Sequence, residues 1–132
     1  MVTEDDVPWM LEVGRRRYSS RFDLDSTAGW MRNVVLKSPL LFYPARTENA
    51  FAVSMLSCAP WLPAEFEVNL ILICADNGAM WDALRLMRNS MEWAKRRKAT
   101  LWRFCSETDY DLAPLARRLH VTELTPRFVK RL

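Results

Sequence analysis

The residues of this chain with the most obvious chemistry are few and scattered. Its three cysteines, Cys58, Cys74 and Cys105, lie far apart in apolar or strand-like surroundings, a spacing that supports neither a disulfide framework nor a metal motif. All three are expected to be small core hydrophobes. The sole histidine, His120, is one ligand at most, so metal dependence is not expected. The remaining chemistry is cationic. Arg15-Arg16-Arg17, Lys95-Arg96-Arg97-Lys98, Arg117-Arg118 and Lys130-Arg131 are runs of a kind that can hold phosphate, and residues 67 to 132 carry 12 Lys/Arg against 8 Asp/Glu. Acidic residues are interspersed, however, and basic runs at helix ends complement the helix dipole. The balance argues against nucleic acid as the partner.

These residues must be positioned by one small domain. A chain of 132 residues, half of them hydrophobic and 27% charged, holds one core and has an ordinary globular balance. Its longest apolar stretch, Leu70 to Ala75, suits a buried strand and is far short of a membrane span. The acidic opening MVTEDDVPWM lacks the basic start and apolar core of a secretory signal, so a cytoplasmic location is expected.

Thr3-Glu4-Asp5-Asp6-Val7-Pro8 predicts a helix start, with an N-cap hydroxyl, early carboxylates and a first-turn proline, and the helix is expected to reach about Tyr18. A second helix is predicted from Asp25-Ser26-Thr27 to Ser38-Pro39. Leu40 to Pro44 and Phe51 to Cys58 are β-rich segments flanking the polar Arg46 to Asn49, which predicts an antiparallel hairpin. Phe66 to Cys74 alternates and then turns continuously apolar, as a central strand covered on both faces would. Asp76-Asn77-Gly78 ends it. Met80, Ala83, Leu84, Met87, Met91 and Ala94 then form the apolar stripe of a long helix, and Thr100 to Ser106 alternates as a strand, which together predict a parallel β-α-β unit. A short helix over Leu112 to Leu119, introduced by Asp109 or Asp111, and a last strand over Arg127 to Leu132 complete an α/β fold with a mixed sheet in one domain, 1–132.

The order of these elements resembles that of the GNAT N-acetyltransferase superfamily. Three local matches support it: the opening Thr3 to Pro8 resembles the family's entry to its first helix, Met91-Glu92-Trp93-Ala94-Lys95 is similar to the end of its cofactor helix, and Phe128 to Leu132 resembles the terminal strand of many bacteriophage members. In that family the central strand splays from its parallel neighbour, acetyl-CoA enters the gap, and its pyrophosphate rests on a glycine-rich turn before the long helix. A helix N-terminus offers unpaired N–H groups and partial positive charge there, and glycine lets the backbone approach. The resemblance places cofactor contacts at Cys74, Asn77, Gly78, Ala79 and Ala83. Aligned back from Ala94, Gly78 falls where the family has an arginine, Trp81 where it has a glycine, and Ala83 at the last small residue. Asp82 sets a carboxylate in the first turn, so an ordinary strand-to-helix turn is the competing reading.

The family also needs a base to deprotonate an ammonium and an acid to protonate the departing thiolate. The resemblance implies Glu67, with Glu65 behind it, as base. Ala116 stands where the acid tyrosine is expected, which leaves Tyr110, just before the last helix, as the substitute; His120 is accounted for as a helix-ending residue at the negative pole. Two functions follow. One is an acyl-CoA-dependent N-acetyltransferase that takes acetyl-CoA and an amine; the other is a GNAT-fold protein without the chemistry, a phage-type virion or host-interaction protein or a homo-oligomer acting through protein binding. Six tryptophans suit an interface, with Trp61, Trp81 and Trp93 as its candidates. A nucleic-acid surface at Lys95 to Lys98 beside Trp102 is a third, minor reading.

Overall fold

The computed structural model describes residues 1–18, 22–58, 61–62, 64–104, 113–121 and 130. Asp6 starts the molecule: its carboxylate accepts from the Thr3 backbone N–H at 2.8 Å, closing a 3-10 turn at Glu4–Asp6 that feeds helix α1, Val7–Tyr18. Asp23, two residues before the expected start, caps helix α2, Leu24–Trp30, by accepting from the Ser26 N–H. The expected single helix to Ser38 instead relaxes into a π-helical turn at Met31–Val35. Met31 and Val35 are both buried there, so the widened turn keeps both side chains in the core.

Four of the expected strands form one sheet in the expected order, the first of them shifted two residues on from Leu40–Pro44. Strands β1 (Phe42–Arg46), β2 (Ala50–Cys58) and β3 (Phe66–Ala75) are antiparallel neighbours, and β3 pairs in parallel with β4, Leu101–Phe104, through the crossover helix α3, Met80–Arg96. Helix α4, Ala113–Leu119, follows. Of the predicted strand over residues 127 to 132, Lys130 alone is described, and it lies in no strand.

Two cores sandwich the sheet. On one face Phe51, Val53 and Cys74 pack against Val7, Met10, Val13, Met31 and Val35 of the N-terminal helices. On the other, Ala50, Ala52 and Leu70 meet Ala83, Leu84, Leu86, Met87 and Leu119. Period 2 along β2 assigns odd residues to the first face and even ones to the second.

Helix α3 is rotated relative to its expected stripe. Met80 is 40% exposed, whereas Leu86, Ser90 and Trp93 are buried with Ala83, Leu84, Met87 and Ala94. Ser90 is tolerated because it is bonded: its hydroxyl lies 2.6 Å from that of Ser54 on β2 and accepts from the Trp102 indole N–H of β4 at 2.8 Å. Trp93, an expected interface residue, stacks on Tyr43 with ring centroids 5.4 Å apart and belongs to the core. Cys58, expected inside, is exposed at the end of β2; Cys74 is fully buried, and Cys105 lies outside the described residues.

Candidate acyl-CoA site

The site is made by an irregularity in β3. Ser54 pairs with Leu70 but Val53 pairs with Leu72, so Ile71 is an extra residue opposite no partner, a β-bulge. Facing directions confirm it. Before the bulge Val68 and Leu70 point to the α3 face; after it Ile73 and Ala75 do, while Leu72 and Cys74 turn to α1. Among the described residues β3 pairs with β4 from Glu67 to Leu70, opposite Leu101 to Phe104, and with β2 along its whole length to Ala75.

The strand leads into the turn that the sequence singled out. The Asp76 N–H donates to the Asn49 carbonyl at 2.9 Å and its carbonyl accepts from the Ala79 N–H at 3.0 Å. Gly78 takes φ +78°, a left-handed conformation suited to glycine, and a Cβ there would meet nothing within 4 Å, so the backbone is open to an approaching group. Ala79 occupies the N-cap position of α3 and its methyl cannot cap, so no N-cap side chain serves the first-turn N–H groups. Two carboxylates flank this positive pole, and both are engaged. Arg16 of α1 grips Asp76 through Nε and Nη2 at 3.1 to 3.2 Å, and Asp82 accepts from the Asn49 side-chain amide at 3.4 Å.

Asn77, Gly78 and Ala79 are thus together on the turn. Cys74 and Ala83 are not exposed beside them: Cys74 is sealed under α1, where burial pushes its thiol up to about 12, and Ala83 faces the core of α3. Only their backbones remain for a ligand. Glu67 pairs across the sheet with Ser57 on the α1 side and accepts from Arg103 of β4 at 3.1 Å. Asn69, two residues on, shares that face and donates to the Ser57 hydroxyl at 3.2 Å. Glu67 and Glu65 also line a cavity of about 190 Å³ with Ser57, Cys58 and Leu62. Tyr110 lies outside the described residues. No local pattern in the sequence reveals Arg16, Asn49, Asn69 or Arg103, each of which acts through a partner remote in the chain, or Ile71, whose bulge arises from the pairing of β2 with β3.

No protein-family model matches the sequence, and no curated protein matches it. Solved structures do match the fold. A ribosomal-protein-alanine N-acetyltransferase from Brucella melitensis biovar Abortus superposes with a TM-score of 0.72 at 14% identity, over 99% of this chain and 96% of the other. An aminoglycoside acetyltransferase from an uncultured soil metagenomic sample, in complex with sisomicin, gives 0.68 at 12% identity, over 99% and 93%. An integron cassette protein from the mobile metagenome of Cole Harbour Salt Marsh gives 0.77 at 11% identity, over 99% and 87%. The chain therefore has the GNAT acetyltransferase fold. Bacteriophage origin, suggested by the terminal segment, gains no support from these neighbours.

Proposed function

We propose that the protein is an acyl-CoA-dependent N-acetyltransferase. The carrying observation is the placing of two features on one stretch of chain: the Ile71 bulge and the open Gly78 turn before an uncapped helix. In this reading the backbone of residues 71 to 75 binds the extended arm of the cofactor. The N–H groups of Gly78 and the first turn of α3 bind its pyrophosphate. Arg16 favours that anion by neutralising Asp76, which offsets the unusual acidity of the turn. When bound, acyl-CoA supplies an activated acyl thioester.

Glu67 is the proposed base. It sits four residues before the bulge, roughly 13 Å along the strand at about 3.3 Å per residue, so its carboxylate serves the amine side and receives the ammonium proton through water. Arg103 holds that carboxylate in place. Tyr110 is the proposed acid, and the proposed acceptor is an amine, in keeping with the names of two neighbouring proteins.

Isothermal titration of the full chain with acetyl-CoA tests the reading. Saturable heat that disappears in Gly78→Asp is expected, because that change brings a carboxylate to the anion cradle. No heat at millimolar acetyl-CoA would sink it. A second reading, a partner-binding protein without chemistry, is favoured by the 78% exposure of Trp61 and by Asp82 in the first turn. The same titration decides between the two.

A further inference from the structure

Four large apolar side chains meet solvent at one end of the sheet. Trp61, Leu40, Leu41 and Leu62 are each between 46% and 78% exposed. The Leu41 carbonyl accepts from the Leu56 N–H at 2.8 Å, which carries the β1/β2 pairing one residue past Phe42 and sets Leu40 and Leu41 beside the end of β2. Leu62 reaches the same end from the β3 side, on a wall it shares with Ser57 and Cys58, and Trp61 precedes it. Of the two tryptophans that stand out from the surface, Trp81 is covered by Arg118, whose guanidinium carbon lies 4.8 Å from the ring centre. Trp61 belongs to no core cluster and has no ring or cation contact among the described residues.

A contiguous apolar surface of this size is uncommon on a chain that works alone. A stable contact takes about 800 Å² from each partner and has an apolar centre, often a tryptophan, inside a polar rim. The rim decides the partner. Lys37 flanks the patch on the β1 side, three residues before Leu40, and Glu65 flanks it on the β3 side, where its N–H donates to the Leu62 carbonyl at 3.0 Å. Both are exposed, and neither has an ion pair among the described residues. One cation and one anion on opposite sides of a neutral patch are self-complementary. A two-fold axis near Trp61 brings Lys37 of one protomer to the partner's Glu65 and repeats the pair on the other side. A bilayer of anionic lipids, in contrast, would be repelled at Glu65.

We propose that this end of the sheet is the interface of a symmetric homodimer. The contact does not depend on the acyl-CoA reading, but it bears on it. Leu62 and Glu65 also line the cavity beside Glu67, so the partner forms one rim of the space assigned to the amine.

Sedimentation velocity of the full chain from about 1 to about 100 μM tests it, and a species of twice the chain mass is expected to gain population across that range. Trp61→Ser, which removes no core contact, is expected to raise the dimer Kd at least roughly thirtyfold, the scale of truncating an aromatic anchor, and to keep a cooperative unfolding transition. Lys37→Glu and Glu65→Lys are each expected to weaken the dimer by roughly tenfold, and the double variant to recover wild-type affinity, because the swapped charges pair again across the two-fold axis. A wild type that stays monomeric over the whole range overturns the proposal, and flotation of that monomer with phosphatidylcholine vesicles would assign the patch to a bilayer instead. Dimerisation of Trp61→Ser as strong as that of wild type overturns it too, as does a double variant no stronger than the single ones. Each of these results is independent of the acetyl-CoA titration, so the two readings fail separately.

Discussion

At the residue scale, the side chains that shape the molecule act through partners far away in sequence. Asp6 illustrates it. Its carboxylate accepts from the Thr3 N–H and, at 2.7 Å, from Arg46 of β1, whose guanidinium carbon also lies 3.6 Å from the centre of the Trp9 ring. The Thr3 bond first, and the Arg46 bond second, hold the Asp6 pKa below its ordinary 3.8. The native state therefore binds fewer protons than the unfolded chain around that pH, so the contribution is complete above the unfolded value and is lost as pH falls through the lower, folded one. Asp6→Asn is expected to cost about 1 kcal/mol at pH 7, the usual scale of a lost cap, with a gap to wild type that narrows toward about pH 3. Urea unfolding at the two pH values measures it; a gap that stays constant would show that the carboxylate charge is not what matters. Thr3 and Asp6 were legible as a helix start because capping is local, whereas Arg46 was legible only as part of a polar turn.

At the element scale, the bulge is the feature on which the functional reading turns, and it was hidden for a physical reason. In Glu67-Val68-Asn69-Leu70 the polar and apolar residues alternate and expose their period, but from Leu70 to Cys74 both faces are apolar, so a shift of phase leaves no trace. The same run correctly marked the strand as covered on both sides. Helix boundaries at Pro8 and Gly78 and the hairpin around Arg46 to Asn49 were legible because turn chemistry is local; the rotation of α3 was not, because a seven-residue step from Leu86 to Trp93 competes with the methionine stripe and only packing on Tyr43 decides. Deletion of Ile71 isolates the bulge. It restores strict alternation while keeping Val68, Leu70, Ile73 and Ala75 on the α3 face and Leu72 and Cys74 on the α1 face, so no core residue changes side. The deletion variant is expected to keep a cooperative thermal unfolding transition and to lose acetyl-CoA binding in titration, since the bulge that sets the backbone of residues 71 to 75 for the ligand is then gone. Retained binding would separate the site from the bulge.

For the molecule as a whole, the proposed acyl-CoA binding would couple to folding through β3, because the strand assigned to the ligand also carries Cys74 into the core. Exposed Cys58 and sealed Cys74 report the two extremes of opening. Burial pushes the Cys74 thiol up to about 12, so it supplies almost no thiolate near pH 8 until the α1 layer lifts away from the sheet. Peptide mapping by mass spectrometry after timed alkylation is therefore expected to find Cys58 modified in the native protein and Cys74 modified only as fast as the molecule opens. A ligand that binds only the folded state at a hundred times its Kd adds about 2.7 kcal/mol of stability, and makes global opening rarer by roughly a hundredfold. When opening and closing are fast relative to alkylation, acetyl-CoA at that excess is expected to slow Cys74 labelling by roughly the same factor. Cys58, at the other end of the sheet and exposed without any opening, keeps its rate. Slowing of Cys58 alone would instead place the ligand over the cavity beside Glu65 and Glu67, and an unchanged Cys74 rate would mean that the ligand does not stabilise the opening unit to which β3 belongs.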